Sequence, residues 1–287
     1  MTLKDRLQRK PILLAPGVAD PLTALLAERA GAEALYLSGA SIAYTRLGRP
    51  DIGLVSLSEV VETIHLVRDR VATPLLVDAD NGYGNALNVQ RTVRLFERAG
   101  ASAIQLEDQS YPKRCGHLQE KRLVPAQEMV GKIKAACDAR ADAQTLIIAR
   151  TDAVAVEGFE AAIKRANLYR EAGADMLFVE APGSKAQLED IPRQLGDGIP
   201  LMANMVEGGM TPVTNGKTLQ AMGYALVIFP GGVVRAMAHT AAAFYSTLMA
   251  DGTSDAFRNQ MFDFDGLNAA IGTPEMLTLG KRYEGSK

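Results

Sequence analysis

Short apolar runs alternate with amphipathic stretches along the chain, and the junction between the two recurs. Ala-Gly-Ala stands shortly before an apolar run at residues 30–32, 99–101 and 172–174, and Met222-Gly223-Tyr224 is a weaker copy. A glycine just past the last helical residue is typical of a helix C-terminus, and a continuous apolar run is typical of a parallel strand covered on both faces. The repeat therefore predicts a chain built from helix-to-strand units.

Eight strands and the helices between them can be placed from this pattern. Helices are predicted at residues 88–99, 127–139, 159–172 and 186–195, and a further helix at 233–250 is followed by a polar break at 251–254 and more helix to about 276. The strands are predicted at residues 12–15, 34–38, 74–78, 103–107, 145–150, 176–180, 201–204 and 225–229.

These elements predict an α/β fold, a (β/α)8 TIM barrel. Eight units over 287 residues leave about 36 residues for each unit, which suits that barrel. We expect a single domain over residues 1–287, with a C-terminal helical extension from about residue 233.

Composition narrows the class of protein. With 31 basic and 33 acidic residues the net charge is -2, so the protein has no excess positive charge that would attract nucleic acid or an anionic membrane surface. No apolar run approaches the roughly 18–20 residues needed to span a bilayer, and the two cysteines suggest no disulfide framework. Because the N-terminus also lacks a signal-like apolar stretch, we expect a cytoplasmic protein that binds neither nucleic acid nor membrane.

The segment Lys113-Arg114-Cys115-Gly116-His117 is the strongest candidate for chemistry. Flanking positive charge stabilises a thiolate, so this pattern predicts that the pKa of Cys115 is lowered. Such a thiol can exchange a proton near neutral pH or attack a carbon. The alternative is a charged loop with an incidental cysteine.

Carboxylates follow several of the predicted strands. Because the carboxyl ends of barrel strands surround the mouth where active sites lie, we expect these acids to converge there. Packed together, these carboxylates would repel one another. A hard divalent cation, Mg²⁺ or Mn²⁺, would offset this repulsion. The alternative for any one acid is a helix cap or a loop hydrogen bond. The acids are Asp78, Asp80, Glu107, Asp108, Asp152 and Glu180.

An arginine ends the fifth predicted strand among these acids. Arg150 could bind a substrate carboxylate through two hydrogen bonds. The alternative is an ion pair with Glu107 or Glu180.

Several motifs together resemble the isocitrate lyase/phosphoenolpyruvate mutase superfamily from about residue 10 to about residue 250. The Cys115 loop resembles the lyase branch, which includes 2-methylisocitrate lyases and 2,3-dimethylmalate lyases; similar sequences are also called carboxyvinyl-carboxyphosphonate phosphorylmutases. The motifs are Ser38-Gly39, Pro50-Asp51-Ile52-Gly53, Val77-Asp78-Ala79-Asp80, Gly82-Tyr83-Gly84, Glu107-Asp108-Gln109, Lys113-Arg114-Cys115-Gly116-His117 and Ala149-Arg150-Thr151-Asp152.

The resemblance implies a Mg²⁺-dependent carbon–carbon lyase. Its substrate would be a small 2-hydroxy dicarboxylate of the alkyl-malate or methylisocitrate type, cleaved by retro-aldol chemistry to pyruvate or another 2-keto acid plus a carboxylic acid. By the same resemblance, Asp78 and Asp80 hold the metal, and Asp51 and Glu107 reach it mainly through water.

The resemblance also implies roles for the substrate-facing residues. Cys115 would be the general acid, in a loop with Gly116 and His117 that closes over the site, and Tyr36 or a metal-bound base would take the hydroxyl proton. Arg150 would bind the substrate carboxylate and stabilise the developing charge. The remaining positions that would contact substrate are Ser38, Gly39, Ala40, Glu180, Asn204, Thr211 and Arg235.

Two positions depart from the 2-methylisocitrate lyase pattern. Ala40 stands where those enzymes tend to have a glycine, and Phe264 stands where they have an arginine for an additional carboxylate. An apolar side chain there favours an alkylated malate over a tricarboxylate.

Other readings remain open from the sequence. The chain could be an oxaloacetate hydrolase or decarboxylase, or a mutase of a phosphorus–carbon bond, within the same superfamily. A third reading is a non-catalytic binding barrel. The resemblance further implies a homotetramer, a dimer of dimers that exchange the C-terminal helices between subunits.

Overall fold

The structure, a computed structural model, describes residues 2–196 and 198–284. It divides into two compact units, Met1–Val234 and Arg235–Lys287. The prediction of a single domain stays a prediction, and each unit is described separately below.

The first unit is a closed barrel of eight parallel strands in sequence order, which confirms the predicted fold and all eight strands. Their ends differ from the prediction by a few residues. The strands are β1 Leu13–Val18, β2 Leu35–Leu37, β3 Leu75–Asp78, β4 Ala103–Glu107, β5 Leu146–Thr151, β6 Met176–Val179, β7 Leu201–Asn204 and β8 Leu226–Phe229.

The first strand runs further than its apolar pattern predicts. β1 continues through Pro16 and Gly17 to Val18 and pairs with β2 and β8. A Cβ at Gly17 would collide with the backbone carbonyl of Pro230. A residue without a side chain therefore allows β1 to pass close to the segment after β8.

Helices cover the outside of the barrel. The predicted helices are confirmed, and some begin earlier because capping side chains precede them: Asn85 accepts from Leu87 N and Asn88 N, so that helix begins at Ala86. The helices of this unit are α1 Leu3–Leu7, α2 Pro21–Arg29, α3 Gly39–Ile42, α4 Leu57–Arg70, α5 Ala86–Ala99, α6 Ala126–Ala139, α7 Phe159–Glu171, α8 Lys185–Leu195 and α9 Gly216–Met222, with a π-helical turn at Ala43–Leu47 and a 3₁₀ turn at Ala153–Ala155.

Strand alternation separates two apolar layers and aims the polar strand ends. Side chains two residues apart point to the same face, so Leu76, Ile148 and Phe178 fill the barrel interior while their neighbours pack under the helices. The next inward positions along those strands are Asp78, Arg150 and Glu180. The barrel therefore points these three polar side chains into its mouth.

The second unit is helical. The helix α10, Gly232–Asp251, crosses the boundary and confirms the predicted helix at 233–250; a 3₁₀ turn follows at Asp255–Gln260. The helices α11 Phe264–Ile271 and α12 Thr273–Lys281 carry the chain further than the predicted end near 276. Within the described residues, no helix has the length and apolar character required to cross a membrane.

Candidate active site

Side chains from five neighbouring strands meet at the mouth of the barrel. All five are buried and lie within one residue of the C-terminal ends of β3 to β7: Asp78, Glu107, Arg150, Glu180 and Asn204. Their convergence follows from the inward alternation of the strands.

Arg150 is the central cation of this cluster. Its Nε and Nη2 donate to the two carboxylate oxygens of Asp152 at 2.8 and 3.0 Å. The guanidinium also lies 3.3 Å from Glu107 Oε2 and 3.6 Å from Glu180 Oε2. The alternative of an ion pair with Glu107 or Glu180 is therefore correct, and Asp152 is the main partner.

One nitrogen of Arg150 keeps hydrogen-bonding capacity. Nη1 makes the 3.6 Å contact with Glu180, which is longer than a hydrogen bond. The ring of Phe178 lies under the guanidinium, with its centroid 5.4 Å away. Arg150 is thus held in place on one side and can donate from Nη1 to a carboxylate ligand.

Buried polar atoms in the same region lack protein partners. Among the residues described, Glu107 Oε1, Asn204 Oδ1 and Thr211 Oγ1 are buried without a hydrogen bond. Burial also raises the pKa of Glu107 well above its ordinary value, although Arg150 opposes the shift. Unpaired buried polar atoms are costly, and their grouping here indicates a site for a polar ligand.

Tyr36 and Asp78 are linked through Gln105 inside the barrel. The Tyr36 hydroxyl donates to Gln105 Oε1 at 3.0 Å, and Gln105 Nε2 donates to Asp78 Oδ1 at 3.2 Å. Burial, with the nearby Asp78 charge, raises the pKa of Tyr36 well above its usual value. Tyr36 is therefore a neutral hydrogen-bond donor in this arrangement, and its role as the base stays a prediction.

Lys113 lies between two of the predicted metal ligands. Its Nζ is 2.5 Å from Asp51 Oδ1 and 2.6 Å from Asp80 Oδ1. Burial, with the charges of Asp78 and Asp51, outweighs Lys113 and raises the pKa of Asp80 to about 7. Asp80 also adopts a left-handed backbone with φ of 48°, which turns it toward the site although it stands two residues after Asp78.

The donor set suits a hard divalent cation. Asp51, Asp78, Asp80 and Glu107 offer only oxygen atoms, and Lys113 already brings positive charge between two of them. Within the described part of the chain, no three His, Cys, Asp or Glu side chains are grouped at metal-binding spacing. The four carboxylates fit Mg²⁺ in chemistry and charge because they offer only oxygen atoms, although their spacing in the structure defines no geometry for the ion.

The cations near Cys115 do not face its thiol. Lys113 turns to Asp51 and Asp80, while Arg114 pairs with Glu120 at 2.9 Å on the surface. Burial consequently raises the pKa of Cys115. The predicted lowering of this pKa is wrong, and the side chain is a protonated thiol, as a general acid requires.

The rest of the segment Lys113–His117, which we call the cysteine loop, packs directly on the cluster. A Cβ at Gly116 would lie 2.5 Å from Arg150 Nη2 and 2.6 Å from Glu180 Cγ, so only glycine fits there. His117 Nδ1 accepts a hydrogen bond from Met210 N at 3.1 Å, which places the ring proton on Nε2, 3.1 Å from Glu180 Oε1. Arg150 and His117 outweigh burial and lower the pKa of Glu180.

The other predicted positions fall in two places. Ser38 is the N-cap of α3, and Gly39 and Ala40 begin that helix; Gly39 N lies 3.4 Å from Asp78 Oδ2. Arg235 and Phe264 belong to the second unit, so their roles stay predictions.

Sequence reasoning gave incomplete information on two residues of the cluster. Asp152 was predicted only as one of several acids, and Lys121, which donates to Asp152 Oδ1 at 2.9 Å, was not predicted. Strand alternation could have placed Asp152 two residues beyond Arg150 on the inward face. Asp108 points outward instead, where it accepts from Tyr169 Oη at 2.7 Å and from Asp152 N at 2.9 Å.

A closed (β/α)8 barrel with buried carboxylates, a buried arginine and a half-buried thiol at its mouth has the active-site arrangement of a TIM-barrel enzyme. Comparison with known proteins narrows this class. The family model described as phosphoenolpyruvate phosphomutase matches residues 3–249, and the chain belongs to this family. The resemblance to the isocitrate lyase/phosphoenolpyruvate mutase superfamily is thereby confirmed.

Named relatives and a solved structure are similar over most of the chain. A 2-methylisocitrate lyase of Aeropyrum pernix is 47% identical over 91% of this chain and 83% of its own length. A 2,3-dimethylmalate lyase of Eubacterium barkeri is 37% identical over 98% and 96%. The crystal structure of a phosphonopyruvate hydrolase with oxalate and Mg²⁺ is 29% identical, with a TM-score of 0.88 and 99% of both chains covered.

Proposed function

We propose that the chain is a Mg²⁺-dependent carbon–carbon lyase that cleaves a 2-hydroxy dicarboxylate to pyruvate or another 2-keto acid plus a carboxylic acid. The observation that carries this proposal is the packing of the cysteine loop against Arg150 and Glu180. Cys115 is a protonated, half-buried thiol, and its neighbour Gly116 packs against Arg150 and Glu180. The names of the two lyase relatives support the same class of reaction.

Substrate binding follows from the free donor of Arg150. Nη1 would donate to the carboxylate next to the 2-hydroxyl, and the backbone at Ser38, Gly39 and Ala40 would hold the same group. Asn204 and Thr211 offer buried polar atoms without protein partners in the described residues, and these would face the distal half. A cation, when bound by Asp78 and Asp80 with Asp51 and Glu107 nearby, would stabilise negative charge on the 2-oxygen as a Lewis acid.

The bond between C2 and C3 breaks after the 2-hydroxyl gives its proton to a base of the site, for which Tyr36 and a base held at the metal site are the two predicted acceptors. The electron pair passes to C3, and the carboxylic acid fragment leaves as a carbanion that must be protonated. The Cys115 thiol supplies this proton, and the loop from Lys113 to His117 keeps water away from the carbanion. Arg150 stabilises charge on the keto-acid fragment.

The substrate is proposed to carry an alkyl group. By the resemblance, Phe264 stands where 2-methylisocitrate lyases have an arginine, so an apolar ring replaces the cation that binds a third carboxylate in those enzymes. An alkylated malate therefore suits this chain better than a tricarboxylate.

We also propose that the enzyme works in the cytoplasm as a homotetramer, a dimer of dimers with exchanged C-terminal helices. Two free cysteines suit a reducing compartment. Within the second unit, Tyr245, Met249, Phe262 and Phe264 are exposed, and such apolar surface favours association with another copy.

A substrate screen tests the proposed activity. The purified enzyme with Mg²⁺ is given 2,3-dimethylmalate, 2-methylisocitrate, isocitrate and oxaloacetate, and keto-acid release is followed. We expect the fastest turnover with 2,3-dimethylmalate. Hydrolysis or decarboxylation of oxaloacetate, without cleavage of any of the three hydroxy acids, would overturn the lyase assignment.

A further inference from the structure

Lys121 lies four residues after the loop Lys113–His117, and its side chain is almost completely enclosed. Its side chain is 1% exposed. The ammonium donates to Asp152 Oδ1 at 2.9 Å and to the backbone carbonyl of Gly116. A buried ammonium needs strong partners, and both partners here belong to the active site.

Asp152 connects this lysine to the arginine of the site. Its two oxygens accept from Nε and Nη2 of Arg150, and Oδ1 also accepts from Lys121. Although burial opposes ionisation, the two cations lower the pKa of Asp152 to about 2. The carboxylate therefore stays charged at every working pH and holds both cations in fixed positions.

Gly116 completes a ring of contacts. Its carbonyl accepts from Lys121, while its Cα lies against Arg150 and Glu180. The loop residue directly before it is Cys115. Lys121 thus links the peptide next to the thiol, through Asp152, to Arg150, the side chain that would bind the substrate.

We propose that Lys121 is a positioning residue that holds the cysteine loop seated on Arg150 and Asp152, so that Cys115 reaches its substrate. The loop has a second set of ties on its other side, where Lys113 contacts Asp51 and Asp80. Those ties anchor the beginning of the loop, and Lys121 anchors the peptide that follows the thiol. The catalytic part of this inference rests on the proposed function, whereas the seating of the loop does not.

The accessibility of the Cys115 thiol tests, without any substrate, whether Lys121 holds the cysteine loop against Arg150 and Asp152. In Lys121→Met the stem keeps its length and the ammonium is lost, so the loop should lift and expose Cys115. We expect iodoacetamide to alkylate Cys115 at least about 10-fold faster than in the unchanged enzyme, since hydrogen bonds to charged groups are the stronger ones. Cys137, read from its own peptide by mass spectrometry, is the internal control, and Lys185→Met, on an exposed lysine, is the matched variant.

Turnover gives the second readout. We expect kcat of Lys121→Met to fall about 10- to 100-fold with a smaller change in KM, because the thiol is misplaced while Arg150 still binds the carboxylate. Lys121→Arg keeps the charge and should recover part of kcat and most of the protection of Cys115.

A second variant protects the test against misfolding. A Cβ at position 116 would collide with Arg150 and Glu180, so Gly116→Ala should lift the same loop by another route and also expose Cys115. Faster alkylation in both variants supports the proposal. Exposure in Gly116→Ala alone, with folded Lys121→Met protected as before, would overturn it. If Lys121→Met does not fold, protection of Cys115 in Lys121→Arg supports the tie and exposure overturns it.

The two proposals fail separately. An enzyme without lyase activity that still shows faster Cys115 alkylation in Lys121→Met would refute the proposed function and leave the positioning role intact. Lyase activity in the unchanged enzyme, together with unchanged alkylation of Cys115 in a folded Lys121→Met enzyme, would support the proposed function and refute the positioning role.

Discussion

Replacement of Arg150 by lysine tests what the guanidinium contributes to ligand binding and to the transition state. The guanidinium makes two bonds with Asp152, at 2.8 and 3.0 Å, and keeps Nη1 for a ligand. A lysine ammonium is a point charge, so it cannot hold Asp152 in this two-bond geometry and also reach the ligand.

The expected loss can be worked from these contacts. A hydrogen bond to a charged group contributes about 1.5–3 kcal/mol, and one such bond to the ligand carboxylate disappears. That loss alone weakens oxalate binding by about 10- to 100-fold. Loosening of Asp152 and of the loop seated on Arg150 adds a similar amount in the transition state, so kcat/KM should fall about 10²–10⁴-fold.

Steady-state kinetics on the best substrate and calorimetry with oxalate, both with Mg²⁺, measure the two quantities. Arg193→Lys, on an exposed arginine of α8, is the matched control and should change neither. Oxalate affinity that is unchanged in Arg150→Lys would refute the role of Nη1. A kcat/KM within about threefold of the unchanged enzyme would refute the whole account of the cluster.

Three further predictions concern the metal, pH and assembly. Exhaustive chelation should abolish turnover, and Asp78→Ala should lower kcat at least about 100-fold because a Lewis acid contributes several kcal/mol; full turnover with no metal by elemental analysis would exclude a metal enzyme. Because the pKa of Cys115 is raised above the ordinary value of 9.0 and the protonated thiol is the active form, kcat should persist as pH rises to 9 and fall only above it; a thiol-dependent loss centred near pH 7 would contradict this. Light scattering at micromolar concentration should give the mass of four chains, and a monomer would contradict the exchanged helices.

The barrel was predictable because its signals are local. Continuous apolar runs and the Ala-Gly-Ala junctions marked all eight strands. The predicted strand ends were less accurate where the close approach of two backbone segments sets the end of a strand, as at Gly17 beside Pro230. The short helix after β2 and the π-helical turn Ala43–Leu47 carry no periodic pattern of their own, so the sequence did not reveal them.

The sequence predicted which polar residues meet at the mouth of the barrel, but it gave less information on the contacts between them. Sequence neighbours suggested that Lys113 acts on Cys115, but the loop directs its ammonium to Asp51 and Asp80, far away in the chain. The pKa of the thiol then follows from burial, which the order of residues does not show. Similarly, the pairing of Lys121 with Asp152 depends on how the loop folds back over β5.

The most direct test of the central claim compares Cys115→Ser with Cys137→Ser on the best substrate. Serine is close in size to cysteine, but its hydroxyl is a far weaker acid than the thiol, so Cys115→Ser should lose most of the about 10²–10⁴-fold contributed by a positioned acid. Its oxalate affinity should change little, because Arg150 remains, and Cys137→Ser, on α6, should keep near-normal turnover. Keto-acid release by Cys115→Ser at the rate of the unchanged enzyme would contradict the account.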